Sequence, residues 1–233
     1  MKRLLSVVTI YLSLLSIALS AADPRLRAYE DGPALEMASE RGDKYTPFML
    51  GNLYLYEVKD YDKALYWYKK GYERGDGNGA YGVGAVYYWY LNDPENARKW
   101  FEIAHQAKSP HGAYGLGIIS DDIDKDYPKA IEWYEIAHKN RADGAAYALG
   151  LLYKQTLKDY PKAIKWYEIA HTMGEKDASY ALGLLYKDVL KDHKKALEWF
   201  QISFDKTKRY GSLYWIGTMY RDGLGVKQDL TKA

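Results

Sequence analysis

The amino-acid sequence predicts an all-α fold, an α-solenoid of stacked antiparallel helix pairs, and three observations carry that expectation. The first is an internal duplication: "KDYPKAIEWYEIAH" at residues 125–138 returns as "KDYPKAIKWYEIAH" at residues 158–171, with one change and a displacement of 33 positions. The second is a ladder at that same period, Ala64, Ala97, Ala130, Ala163 and Ala196. Each alanine is followed three residues later by an aromatic pair: Trp67-Tyr68, Trp100-Phe101, Trp133-Tyr134, Trp166-Tyr167 and Trp199-Phe200. The third is a glycine ladder lying between these pairs, Gly51, Gly84, Gly117, Gly150, Gly183 and Gly217. A tyrosine follows three residues later at Tyr54, Tyr87, Tyr153, Tyr186 and Tyr220, with Ser120 as the exception. Self-similarity at a fixed period of 20–50 residues is the signature of units that cannot bury their apolar faces alone and must stack.

The elements follow in order. Residues 1–22 read as a secretory leader: two cations, Lys2 and Arg3, an apolar run over residues 4–19, and small residues from Ser20 to Ala22. The alternative is an uncleaved membrane anchor. The apolar run is slightly short for the roughly 20 residues a span requires, and the small residues favour cleavage, so the mature chain is expected to begin near Ala21 or Asp23. No later segment is apolar enough to cross a bilayer. Residues 23–44 are expected to form an N-terminal capping helix segment, because "PALEMASERGD" at 33–43 aligns with the end of a second helix one period upstream of Gly75-Asp76. Residues 45–233 then hold about five full repeats of 33 residues and a partial last one.

Each period reads as two helices. In "DGAAYALGLLYKQ" Ala146, Leu149, Gly150 and Tyr153 fall at i, i+3, i+4 and i+7, one helical stripe, and Ala163, Trp166, Tyr167 and Ala170 repeat that spacing in the second helix. Pro128 and Pro161 stand near helix starts, where a missing N–H and a fixed φ are tolerated. Glycine inside a helix costs roughly 1 kcal/mol relative to alanine. Its return in every repeat predicts close backbone packing, with the partner helix's aromatic filling the space. The duplicated stretch is therefore a building part rather than a catalytic centre, and the aromatic pairs are expected in the core.

This pattern resembles the Sel-1-like repeat, a relative of the tetratricopeptide repeat. The resemblance is clearest in "SLYWIGTMYRDGLGVKQDLTKA", which carries Gly217, Tyr220, Gly223, Gly225, Val226, Asp229, Lys232 and Ala233. The earlier inter-helix loops lack Gly-x-Gly-Val and are three residues shorter, since Tyr153 to Ala163 is 10 positions while Tyr220 to Ala233 is 13. The resemblance implies a right-handed solenoid and adaptor or scaffold work, often in bacterial envelopes or host-facing secretion, and some proteins of this repeat type are immunity proteins. At Ala233, another second helix is due. Either that helix lies beyond this sequence or a partner covers the surface, and a truncated repeat serving as a cap is the expectation.

Composition narrows the function. With no cysteine, an exported chain must be held by packing alone. Without Lys2 and Arg3 the 33 basic residues become 31, matching the 31 acidic ones, so neither nucleic acid nor an acidic membrane is an expected partner. No cofactor is expected. The histidine ladder His105, His138 and His171 could suggest zinc, but equivalent positions in successive repeats stand too far apart to share an ion. His111 and His193 have no obvious partners in the sequence. "SDDIDKD" alternates Asp122, Asp124 and Asp126 like the start of a calcium loop, yet Tyr127 and Trp133 occupy the places that need Gly and Glu. No cysteine nucleophile, Gly-x-Ser-x-Gly or phosphate-cradling loop is present, so no catalytic residues are assigned.

Binding is expected where the repeats disagree, because packing imposes sameness. Four and five residues after the ladder glycine stand Leu55-Tyr56, Tyr88-Trp89, Asp121-Asp122, Lys154-Gln155, Lys187-Asp188 and Arg221-Asp222. From this row Tyr88, Trp89, Asp121, Asp122, Lys154 and Lys187, together with Tyr90, are the candidate partner-binding residues, with the aromatic trio as anchor. The competing reading packs the trio against the short inter-helix turn. The tyrosine column Tyr81, Tyr114, Tyr147, Tyr180 and Tyr214 is expected to be mostly packing, with sugar or peptide stacking as the alternative. The functional expectation is an exported, non-catalytic scaffold for another protein or peptide; a glycan-binding module is the alternative and a cell-wall enzyme the weaker third reading.

Overall fold

The computed structural model describes residues 24–233, and the expected leader lies outside the described residues. Those residues are helical with no strand, and they form two compact units, one ending at Ile123 and one running from Asp124 to Ala233. The first unit contains α1 (Pro24–Glu40), α2 (Thr46–Asn52), α3 (Tyr61–Glu73), α4 (Gly77–Trp89), α5 (Pro94–Gln106) and α6 (Gly112–Ile118). The second contains α7 (Tyr127–Lys139), α8 (Ala145–Gln155), α9 (Tyr160–Thr172), α10 (Ala178–Leu184), α11 (His193–Thr207) and α12 (Tyr210–Asp222). Within each unit every helix packs on the next, and the first helices α2, α4, α8 and α10 form hairpins with the second helices α3, α5, α9 and α11. Residues 33–43 form the last part of α1 and the turn after it. Arg74 donates from the end of α3 to Ser39 O and Oγ, both at 2.9 Å, tying that segment to the first repeat.

Four of the ladder glycines, Gly51, Gly84, Gly150 and Gly183, are explained by the second ring of each aromatic pair. A Cβ added at Gly150 would stand 2.5 Å from Tyr167 Cδ1, one at Gly84 2.6 Å from Phe101, and one at Gly183 2.6 Å from Phe200. Those rings are sealed: Tyr68 is 1% exposed, and Phe101, Tyr167 and Phe200 are 0% exposed. Tyr68 also faces Gly82 of the following first helix, where a Cβ would meet the ring at 2.6 Å, so one ring joins two hairpins. The tryptophans divide from their neighbours. Trp67 is buried, but Trp100, Trp133, Trp166 and Trp199 are only half-buried, which corrects the expectation that both members of the pair are core.

The short inter-helix turns use a different device from the Gly-x-Gly-Val loop. The last turn of the first helix widens to an i→i−5 bond, as Lys59 N–H donates to Tyr54 O and Leu157 N–H to Leu152 O. In α2, α6 and α10 this widening is a full π turn, over Leu53–Val58, Ile119–Ile123 and Leu185–Leu190. One left-handed residue then reverses the chain, at Lys59, Asn92, Lys125, Lys158 and Lys191, where the long loop spends Gly223 and Gly225. The next residue is always Asp. Its side chain caps the second helix, accepting from Lys63, Asn96, Lys129, Lys162 and Lys195 N–H. Its own N–H reaches back to the ladder-tyrosine carbonyl at 2.8–3.0 Å in four of these turns, Tyr54, Tyr87, Tyr153 and Tyr186. The lysine at the third position covers that tyrosine's ring: Lys63 on Tyr54 at 5.0 Å, Lys162 on Tyr153 at 5.1 Å, Lys195 on Tyr186 at 5.2 Å.

The Glu175 carboxyl, in the second unit, is out of its usual range. Burial of the Glu175 carboxyl, reinforced by Asp143, pushes its pKa up to about 7, against the pull of the Gly144 and Tyr147 N–H groups. The folded state therefore holds a proton that the unfolded chain has released between about pH 4.5 and 7, and stability falls as pH rises through that window.

Two predictions follow from this packing. Gly150→Ala, which would stabilise an exposed helix, should instead lower the unfolding free energy by about 1–3 kcal/mol through overpacking against Tyr167; denaturant titration measures it, and an unchanged midpoint would mean the ring has room to yield. Glu175→Gln should be more stable than the parent at pH 8 and no more stable at pH 4.5. Thermal melts across that range would refute the assignment if the two curves ran parallel.

Candidate interaction surface

The row four and five residues after the ladder glycine divides by burial. The fifth position points outward in every repeat: Tyr56, Trp89, Asp122, Gln155, Asp188 and Asp222 are all exposed. The fourth leans back on the neighbouring helix. Leu55 is buried, Tyr88, Asp121, Lys154 and Lys187 are half-buried, and Arg221 is exposed. The fourth column is thus partly a packing position, and the freedom expected of the whole row belongs to the fifth.

In the second unit two cations of this row, Lys187 and Arg221, pair with the carboxylate that follows them. Lys187 forms an ion pair with Asp188 while its Nζ lies 3.7 Å above the Trp215 ring. Arg221 grips Asp222 with Nε and Nη2 at 2.6 and 2.8 Å, a bidentate arrangement that holds the carboxyl below its usual range. Arg209 likewise pairs with Asp177, and its guanidinium lies 4.1 Å from the centre of the Tyr180 ring. Lys154 stands half-buried near the end of α8.

In the first unit the row is aromatic and acidic. Tyr88 and Trp89 end α4 with their rings edge to face, 5.2 Å apart, and Tyr90 is the capping residue. Tyr88 donates its hydroxyl proton to Asp122 Oδ2 at 2.6 Å, linking α4 to the π turn after α6. Burial, then this bond, push the Tyr88 pKa far above its ordinary value, so the hydroxyl remains a donor. Tyr90 packs on Tyr61 at the start of α3, 5.1 Å between ring centres, which matches the turn-packing alternative for this one residue. Trp89 remains 49% exposed and Tyr56 60% exposed.

Three members of the tyrosine column and two of the histidine ladder fall to packing roles. In the tyrosine column Tyr81 lies 5.6 Å from Phe101, Tyr147 5.4 Å from Tyr167, and Tyr180 5.7 Å from Phe200, each covering the sealed ring of its hairpin. The histidine ladder is a set of ring contacts. His138 meets Trp166 and His171 meets Trp199 edge to face at 5.3 Å, as Tyr72 meets Trp100 two periods before the first of these at 5.9 Å. Among the described residues no group of three or more His, Asp or Glu converges as a metal site. The acidic stretch at 120–126 is divided between jobs, since Asp126 caps α7 and Asp122 bonds Tyr88. One feature escaped the sequence. A groove of about 540 Å³ lies along α12, with Tyr210 86%, Leu213 46% and Tyr214 64% exposed beside Gly217 and Arg221. The only hint of it in the sequence is the run of large residues 213–215. No helix among the described residues is long and apolar enough to cross a membrane.

Comparison with known proteins agrees with this architecture. No curated protein matches the chain. A crystal structure of c5321, a protective antigen of uropathogenic Escherichia coli, superposes with a TM-score of 0.65 at 26% identity over 85% of this chain; the chain spans only 45% of that protein's length. A Sel1 repeat protein from Oxalobacter formigenes gives 0.64 at 24% identity, covering 89% of this chain and 93% of the other. The immunity protein Pa5087 of Pseudomonas aeruginosa gives 0.56 at 21% identity, over 76% and 72%, a likeness of fold. The Sel1 repeat model matches six segments, 48–76, 78–106, 110–138, 144–175, 176–206 and 211–233, which together span most of the sequence. With its glycine slots, capping aspartates and hairpin pairing, the chain is an α-solenoid that belongs to the Sel1 repeat family.

Proposed function

We propose that this protein is an exported, non-catalytic scaffold that holds another protein or peptide against the outward row of its first helices, with Trp89 as the anchor. The observation that carries the reading is a contrast between rings. The second ring of each repeated pair is sealed, whereas Trp89 and Tyr56, which have no counterparts in the later repeats, stand about half open. Exposed aromatics framed by polar groups suit protein interfaces, because a rigid ring contributes large contact area at small entropic cost. Export rests on the leader-like residues 1–22. A narrower form, an immunity protein that blocks a toxin in the periplasm, draws on the occurrence of an immunity protein with this fold.

The test is crosslinking in cells of the mature chain, from Asp23 onward, followed by purification and mass spectrometry beside Trp89→Ala. One protein recovered in near-stoichiometric amount with the parent, and reduced at least about tenfold with the variant, supports the scaffold. Retention on peptidoglycan with no protein recovered would replace it by the glycan-binding reading.

A further inference from the structure

The outward column carries carboxylates at Asp122, Asp188 and Asp222, and the residue before each decides its electrostatic state. Asp188 receives the Lys187 ammonium and Asp222 the Arg221 guanidinium, so those two repeats neutralise their own charge. Before Asp122 stands Asp121, a second acid. Asp122 takes its hydrogen bond from the neutral Tyr88 hydroxyl, which orients the carboxylate without cancelling its charge. The Tyr88 ring abuts Trp89, so an exposed carboxylate and an exposed indole share one small area of surface.

A carboxylate beside open aromatic faces is the environment that favours an ammonium or guanidinium group. The charge pairs with the anion, and the aliphatic stem and cation lie on the rings. The second unit contains this arrangement within the chain itself: Lys187 bonds Asp188 and lies on Trp215, and Arg209 bonds Asp177 and lies on Tyr180. We infer that the surface of Tyr88, Trp89 and Asp122 receives a Lys or Arg side chain from the protein partner, next to an apolar residue that covers Trp89. This rests on the scaffold reading and specifies the chemistry of its partner. The partner's cation stands where Lys187 and Arg221 stand in the later repeats.

Selection of a phage-displayed library of random twelve-residue peptides on the full chain tests it, repeated on Asp122→Asn and Asp122→Lys after circular dichroism shows each variant folded. The expected peptides carry Lys or Arg beside an aliphatic or aromatic residue. Their affinity falls about fivefold on Asp122→Asn, as for a partly exposed ion pair, and Asp122→Lys selects Asp or Glu in place of the cation. Enriched peptides that lack a cation, or that bind Asp122→Lys unchanged, overturn the inference and leave the scaffold standing. Failure to enrich any peptide on the parent chain overturns both.

Discussion

The structure depends on the contact between a glycine Cα on one helix and the face of an aromatic ring on its partner. Tyr68, Tyr167, Phe101 and Phe200 are the largest fully buried side chains among the described residues, and each enters its helix crossing where the opposing residue lacks a Cβ. Glycine is a poor helix former, so each slot gives up about 1 kcal/mol of propensity to admit a ring whose burial contributes several. The ring at Tyr68 faces glycines on two first helices, Gly51 and Gly82, and so couples a hairpin to the next as well as closing its own. A period of 33 residues is the sequence trace of that coupling.

The turns are where this chain departs from its family's pattern, and the departure has a mechanical explanation. Removing three residues from the loop leaves less chain to reverse direction, and the first helix makes up the difference by widening its last turn. A non-glycine residue then accepts the left-handed conformation, at a strain that the following aspartate offsets with two hydrogen bonds, one from the new helix and one to the old. The Lys-Ala signature acquires a meaning here: lysine lies over the ladder tyrosine whose carbonyl the aspartate has tied down, and alanine seats the second helix against the first.

Much of this was legible in advance. Helical pairing and the glycine slots were readable because packing repeats every 33 residues and repetition exposes it. The fate of the tryptophans was not, because Trp166 and Tyr167 are neighbours in sequence but lie about 100° apart on the helix, and only Tyr167 faces the slot. The His138–Trp166 contact was hidden for a related reason: its partners belong to successive second helices, and each ladder shows its own period without showing which positions of neighbouring repeats meet. The Tyr88–Asp122 bond lies between two non-repeating residues, so no ladder could reveal it. What the row of candidates lacked was the distinction between its inward fourth and outward fifth positions, although the spacing Tyr54 to Asp60 and Tyr153 to Asp159 already placed the helix end beside it.

Two kinds of ring stand apart: the sealed second rings of the repeated pairs, which hold the fold, and the open, non-repeating Trp89 and Tyr56, which the proposed function gives to a partner. Equilibrium unfolding of Tyr68→Ala and Trp89→Ala, measured side by side, tests that separation most directly. The sealed Tyr68 should cost about 3–5 kcal/mol on truncation, and the open Trp89 less than about 1 kcal/mol. Comparable losses at both positions would place Trp89 in the fold and contradict its role as a surface kept for binding.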